Sequence, residues 1–259
     1  MDGVLSAARP PLRLRQIALL ARDLEATVDH LRAVLGLEVG FRDPGVAVFG
    51  LANAVFPVGD TFLEVVSPVK PDASATRLLA RRGGDCGYMV IVQTGDLAGA
   101  RERMARERVR IVFEHADPAG HTATIHLHPR DTGGAILSLD ESNPPESWDW
   151  AGPGWRKHVR TEVVTSIAGA TLASEDPAAL AARWAAVLDR PAVTEREATV
   201  IELDGAALRF VRGAEGLVGI ALAAESRAAR DGAVARARAR GLAVSHDEAF
   251  VAGTALRLI

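Results

Sequence analysis

The sequence predicts an α+β fold built from four βαβββ modules that pair into two domains. Three observations carry this prediction. A pattern of apolar strand, helix-start residue and amphipathic helix occurs four times: QIALLARDL from Gln16, MVIVQTGDL from Met89, GATLASEDP from Gly169 and GIALAAESR from Gly219. In each copy the helix-start residue stands seven positions after the first, at Asp23, Asp96, Asp176 and Ser226. All four side chains accept hydrogen bonds from the free N–H groups of a first helical turn. Behind each helix lie three short β-type runs with turn signals between them.

Module one, about residues 12–68, continues from Asp23 into a helix whose apolar stripe is Leu24, Val28, Leu31 and Leu35. Its turns are marked by Asp43-Pro44-Gly45 and Gly59-Asp60. Module two, about 84–140, has a thinner stripe of Leu97, Ala100 and Met104, and a loop from Pro129 to Gly134 before its last strand. Module three, about 167–212, places Leu180, Trp184, Val187 and Leu188 on one helix face and turns at Asp204-Gly205. In module four, about 216–259, the stripe rests on alanine around Ala229, Ala233 and Ala237. The second and fourth helices are therefore expected to bury less.

A module of about 50 residues cannot bury both its sheet and its helix alone, so the modules must pair. The first domain is placed at 1–141 and the second at 163–259, joined by a linker at 142–162. That linker holds NPPESWDWAGPGW, in which prolines and glycines interrupt any periodicity. Trp148, Trp150 and Trp155 are large apolar rings that must pack against something. Docking on one domain is favoured over a lid across a ligand cavity.

Composition narrows the class. With 48% hydrophobic and 24% charged residues in 259, the chain sits among soluble globular proteins. A net charge of −3 supplies no global basic field, so neither nucleic acid nor membrane is an expected partner. The lone cysteine, Cys86, excludes an intramolecular disulfide and every multi-cysteine metal site. No base or cation flanks it in GGDCGY, so it reads as an inert thiol. Met1 to Gln16 lacks a signal-peptide apolar core, and no stretch approaches the roughly 18 apolar residues of a membrane span. The expected location is cytoplasmic.

Several segments now carry a resemblance. IALLARDLEATVDHLRAVLGLEV resembles the opening strand and helix of the vicinal oxygen chelate superfamily, the glyoxalase, bleomycin-resistance and extradiol-dioxygenase proteins. TFLEVVSP looks like its fourth strand, and HPRDTGGAILSL like the closing hairpin of methylmalonyl-CoA epimerases. The resemblance implies that each module pair forms a cupped mixed sheet. It also implies a divalent metal held by four side chains, one from each first strand and one from each last strand. In the amino-terminal pair those positions are Gln16, Glu64, Met89 and Ser138. Gln16 and Glu64 suit a hard cation, but a thioether is soft and a hydroxyl is a weak neutral donor. The carboxyl-terminal pair has Gly169, Arg209, Gly219 and Arg257, which hold no cation. No cofactor is assigned; the alternative is a divalent metal on Gln16, Glu64 and His126.

The residues also speak for themselves. Glu64 has apolar neighbours on both strand faces, so its carboxylate needs donors, a cation or a proton. It is either a structural glutamate bonded to neighbouring strands or a general base in the cup. His126 and His128 share a strand face, and the resemblance makes His128 a turn-supporting residue. Tyr88 and Met89 suit a flat organic ligand. Arg209 and Arg257 correspond in position and would clamp a carboxylate or phosphate if both faced one cup; otherwise they face solvent. No phosphate loop, nucleophile elbow or catalytic triad is present.

The expected function is binding of a small organic molecule in the amino-terminal cup, lined by Gln16, Glu64, Tyr88, Met89, His126 and Ser138. Arg209 and Arg257 are the candidates in the other cup. As an enzyme it would be a glyoxalase-like or epimerase-like lyase or isomerase in which Glu64 moves a proton. The alternative is a non-catalytic, drug-sequestering binder. An extradiol dioxygenase ranks third, because that chemistry implies two histidines and a glutamate in one cup. A homodimer is compatible with this layout.

Overall fold

A computed structural model describes residues 11–259 except Glu197. The first ten residues of the leader reading therefore lie outside the described part. Module one is β1 (Leu12–Leu20), α1 (Leu24–Leu35), β2 (Leu51–Val58) and β3 (Thr61–Pro68); α2 (Ser74–Arg82) follows it. Module two is β4 (Cys86–Thr94), α3 (Leu97–Arg106), β5 (Ile111–Ala116), β6 (Thr122–Leu127), the short α4 (Pro129–Thr132) and β7 (Ile136–Ser142). Module three is β8 (Val164–Ser174), α5 (Pro177–Leu188), β9 (Ala192–Glu195), β10 (Ala198–Leu203) and β11 (Ala206–Arg212). Module four is β12 (Gly216–Ala224), α6 (Arg227–Ala239), β13 (Val244–Ser245), β14 (Glu248–Val251) and β15 (Thr254–Leu258).

The four helix starts form for the reason the sequence predicts. Asp23, Asp96, Asp176 and Ser226 accept from the N–H of Ala26 (3.0 Å), Gly99 (2.8 Å), Ala179 (3.0 Å) and Ala229 (3.1 Å). The stripes differ as expected: α1 and α5 each bury five residues, while α3 and α6 each bury three. Module one departs from its three runs. Its first run shrinks to a bridge between Phe41 and Val55, because Asp43-Pro44-Gly45 starts a 3-10 helix instead. Asp43 caps Gly45 N at 2.7 Å, and Pro44 fits a first helical position where no N–H is needed. His128 supports a turn: its Nδ1 accepts from Arg130 N at 3.1 Å and caps α4.

Two mixed sheets result, with strand orders β2-β3-β1-β4-β7-β6-β5 and β13-β14-β15-β12-β8-β11-β10-β9. In each, the first strands of the two modules run antiparallel at the centre, β1 beside β4 and β8 beside β12. Each module's last strand runs parallel to its own first strand. Helices α1 and α3 cover one face of the first sheet, and α5 and α6 one face of the second. Those two faces merge into one apolar core, where Leu31 and Leu19 join Trp184, Phe210 and Leu256. Helix α1 meets α6 there, and α3 meets α5. The sheets touch closely where β4 passes β12: a Cβ on Gly87 would lie 2.2 Å from the Leu217 carbonyl oxygen, so only glycine fits. Among the described residues no helix is long and apolar enough to cross a membrane.

Candidate functional site

The face of the seven-stranded sheet away from α1 and α3 forms the amino-terminal cup, and α2 packs on one end of it through Ala75 and Leu79. Its central row runs Phe62, Gln16, Ile91, Ser138, His126 and Phe113 on successive strands. The next row runs Val55, Glu64, Ala18, Met89 and Ile136. The predicted residues thus share one face, but they divide into separate groups.

Glu64 and Gln16 are joined. Gln16 Nε2–H donates to Glu64 Oε2 at 2.9 Å, and Asn53 Nδ2–H donates to Oε1 at 2.6 Å. The Gln16 carbonyl oxygen in turn accepts from Trp148 Nε1–H at 2.9 Å. Burial pushes the Glu64 carboxyl above its usual range, while the Asn53 and Gln16 amides pull it back. A second polar knot lies across the cup. Asp140 Oδ1 accepts from Thr124 Oγ1–H at 2.9 Å and from the Ser138 hydroxyl. Burial pushes Asp140 up to about 7, with the Glu64 charge adding to the rise. No hydrogen bond reaches Asp140 Oδ2 among the described residues.

Met89 and Tyr88 belong to the apolar wall. Burial, then the Glu64 charge, pushes the Tyr88 hydroxyl up to about 12. His126 stands three strands from Gln16, packed against Phe113 (4.9 Å between rings) and Phe49 (6.0 Å). Burial lowers it to about 4, which keeps it neutral. Cys86 is half-buried, and burial pushes its thiol up, away from nucleophilic use.

These donors do not fit a divalent ion. Both oxygens of Glu64 and both polar atoms of Gln16 are engaged within the protein, and the Ser138 hydroxyl serves Asp140. His126 is not brought to Gln16 and Glu64. Among the described residues no group of three or more His, Cys, Asp or Glu side chains converges as a metal site.

The linker forms the roof. Trp148 is fully buried and stacks on Phe62 at 6.3 Å, while Trp155 meets the same ring edge-on at 4.9 Å. Gln93 Nε2–H donates to the Pro145 carbonyl at 2.6 Å, and Trp155 Nε1–H to that of Ser147 at 2.7 Å. The linker is thus docked on the first sheet and covers its cup at Phe62, Gln16 and Gln93. Arg15 lies beneath it, 1% exposed, its guanidinium 5.5 Å from the Phe62 ring and 5.4 Å from that of Trp148. A surface depression of about 590 Å³ lies elsewhere, between α1 and Arg240. Its wall residue Glu38 is tied to His158 and Arg160, and it shares no residue with the cup.

The other sheet's corresponding face is floored by Gly169, Thr171, Gly219 and Ala221. Arg209 and Arg257 do share that face, but each is about half exposed and turns to an acid on its own edge. Arg209 reaches Glu195 at 3.8 Å, and Arg257 reaches Asp247 at 3.3 Å.

Sequence reasoning did not single out Asn53, Asp140 or Arg15. The signal for Asp140 was there: Ser138, Asp140 and Ser142 alternate along β7 and so share the cup face. Arg15 had none. A bulge pairs Leu14 with Val92 but Gln16 with Ile91, switching which residues face the cup and turning Arg15 toward it.

Paired βαβββ sheets over such cups define the vicinal oxygen chelate superfamily, and this fold and its sequence place the chain there. More narrowly, the chain belongs to the glyoxalase-like domain family, whose sequence model matches residues 17–188. None of the curated proteins matches it in sequence. Among solved structures, a hypothetical protein from Staphylococcus aureus is similar at 14% identity and TM-score 0.66, over 96% of this chain and 99% of that one. An engineered variant of 4-hydroxymandelate synthase from Streptomyces coelicolor aligns at 14% identity and TM-score 0.68, over 90% and 76%. A methylmalonyl-CoA epimerase variant from Streptomyces coelicolor aligns at 24% identity and TM-score 0.45, over 50% and 96%. The first two likenesses concern the fold.

Proposed function

We propose that this protein binds a small organic molecule over the floor of the amino-terminal cup and moves a proton on it, as an isomerase or lyase with no resident metal. One observation carries the reading: Asp140 is a buried carboxyl near neutral pKa with both hydroxyl donors on Oδ1 and no hydrogen bond at Oδ2. Such a group is populated in both protonation states at neutral pH, so it can serve first as general base and then as general acid. Glu64 is the less available base, because amide N–H groups hold both of its oxygens. Its part is to position, through Gln16, the Trp148 roof. The ligand would be a carbon acid, with a C–H next to a carbonyl.

The test is solvent exchange. Mixtures of carbonyl metabolites in deuterium oxide, followed by proton NMR, should show protein-dependent loss of one C–H signal. Asp140→Asn should slow that loss by about 10²–10⁴-fold. Exchange that survives this substitution unchanged would sink the assignment. A second reading, sequestration without chemistry, draws on the aromatic wall of Phe62, Trp148 and Trp155. It predicts ligand binding with no exchange.

A further inference from the structure

Buried polar side-chain atoms are nearly always paired, and exceptions ask for a cause. Among the described residues four such atoms lack a hydrogen-bond partner: Arg15 Nε, Arg15 Nη1, Gln93 Oε1 and Trp150 Nε1. All belong to the amino-terminal cup or its roof. Arg15 and Gln93 stand on neighbouring strands, where Gln93 faces Arg13 across the ladder. Trp150 belongs to the tryptophan segment above them. Asp60 does not repair the Arg15 deficit. It lies 3.6 Å from Nη1 and is already held by Arg13 at 2.7 Å. The guanidinium is flanked by the rings of Phe62 and Trp148, and the hydrogens on its buried Nε and Nη1 have no hydrogen-bond acceptor.

We infer that Arg15 is the anchor for a carboxylate on the cup's ligand, and that the ligand is an organic acid with a flat apolar body. This deepens the proposed function and rests on its reading of the cup as the ligand site. A planar, permanently charged fork with free N–H groups matches the two oxygens of a carboxylate. The neighbouring walls, Phe62, Trp148, Trp155 and Ile91, accept a ring rather than a second charge. The guanidinium stays protonated at neutral pH, since burial lowers it only to about 10. Seating the acid requires Trp148 to leave the Phe62 face, so tryptophan emission reports it.

The experiment compares benzoate, benzamide and inorganic phosphate on the intact protein, by tryptophan fluorescence and thermal unfolding. Benzoate should bind at least about tenfold more tightly than its amide, raise the melting temperature, and outcompete phosphate. Arg15→Met should erase the acid-over-amide preference, and Arg15→Lys, which keeps the charge, should retain part of it. Equal binding of acid and amide by the unaltered protein would overturn the inference whether or not either variant folds. So would phosphate binding as tight as benzoate, or no benzoate binding up to about 20 mM. Benzoate binding without exchange on any carbon acid would leave the anchor standing and sink the proton-transfer reading. Exchange on neutral carbonyl compounds, unchanged in Arg15→Met, would do the reverse.

Discussion

The two sheets share one arrangement of strands yet present unlike linings on the same face. The first cup has a polar floor with two buried acids, Glu64 and Asp140, under a tryptophan roof. The second has a glycine and alanine floor, and its arginines stand half in solvent beside surface acids. The difference teaches that the duplicated unit supplies a scaffold and that what covers a cup decides its chemistry. A carboxyl becomes unusual only when water is removed from it. In the first cup the linker contributes to this, through Trp148 over Gln16 and Phe62.

Three changes should break or sharpen that contrast. The largest effect is expected for Trp148→Ala, which removes a fully buried ring and the donor to Gln16. Urea unfolding should show a loss of about 3–5 kcal/mol, and a loss near zero would mean the roof does not shape the cup.

Next comes Asp140→Asn. The folded carboxyl, near 7, stands above its ordinary 3.8. Between those values the native state keeps a proton that the unfolded chain has lost, so stability is greatest below about pH 4 and falls as pH rises toward 7. The variant should lack that slope and be more stable at pH 8 by about 2–4 kcal/mol. An unchanged profile would place the titration elsewhere.

The smallest effect belongs to the open cup. Arg209→Ala with Arg257→Ala should alter stability by no more than about 0.5 kcal/mol. It should also leave any stabilisation by phosphate unaltered; loss of such stabilisation would revive the clamp.

Much of the fold was legible because its signals are local. An N-cap needs only its own turn, and Asp23, Asp96, Asp176 and Ser226 each announce one. Glu64 was legible as a buried acid from its apolar flanks, and its bond to Gln16 joins two positions read from the resemblance. Asp43-Pro44-Gly45 misled, because a turn signal does not say whether a strand or a 3-10 helix follows. Asn53 stayed silent, since an amide among strand residues acquires meaning only from the carboxylate opposite it. His126 stood beside a second histidine on its strand face, but its aromatic neighbours Phe49 and Phe113 come from other elements.

The sequence by itself determined four strand-helix starts, their pairing into two sheets, and the mismatch of Met89 and Ser138 with a metal cage. The strand-helix starts follow from periodicity and capping, readable within a few residues; the pairing follows from the small size of one module, and the cage positions from the family resemblance. Tertiary structure alone decided that Trp148 would close over Gln16, that a bulge would turn Arg15 under it, and that Asp140 would lose its water. Burial and register depend on contacts between residues far apart in the chain, and no local pattern encodes what will lie on top of a side chain.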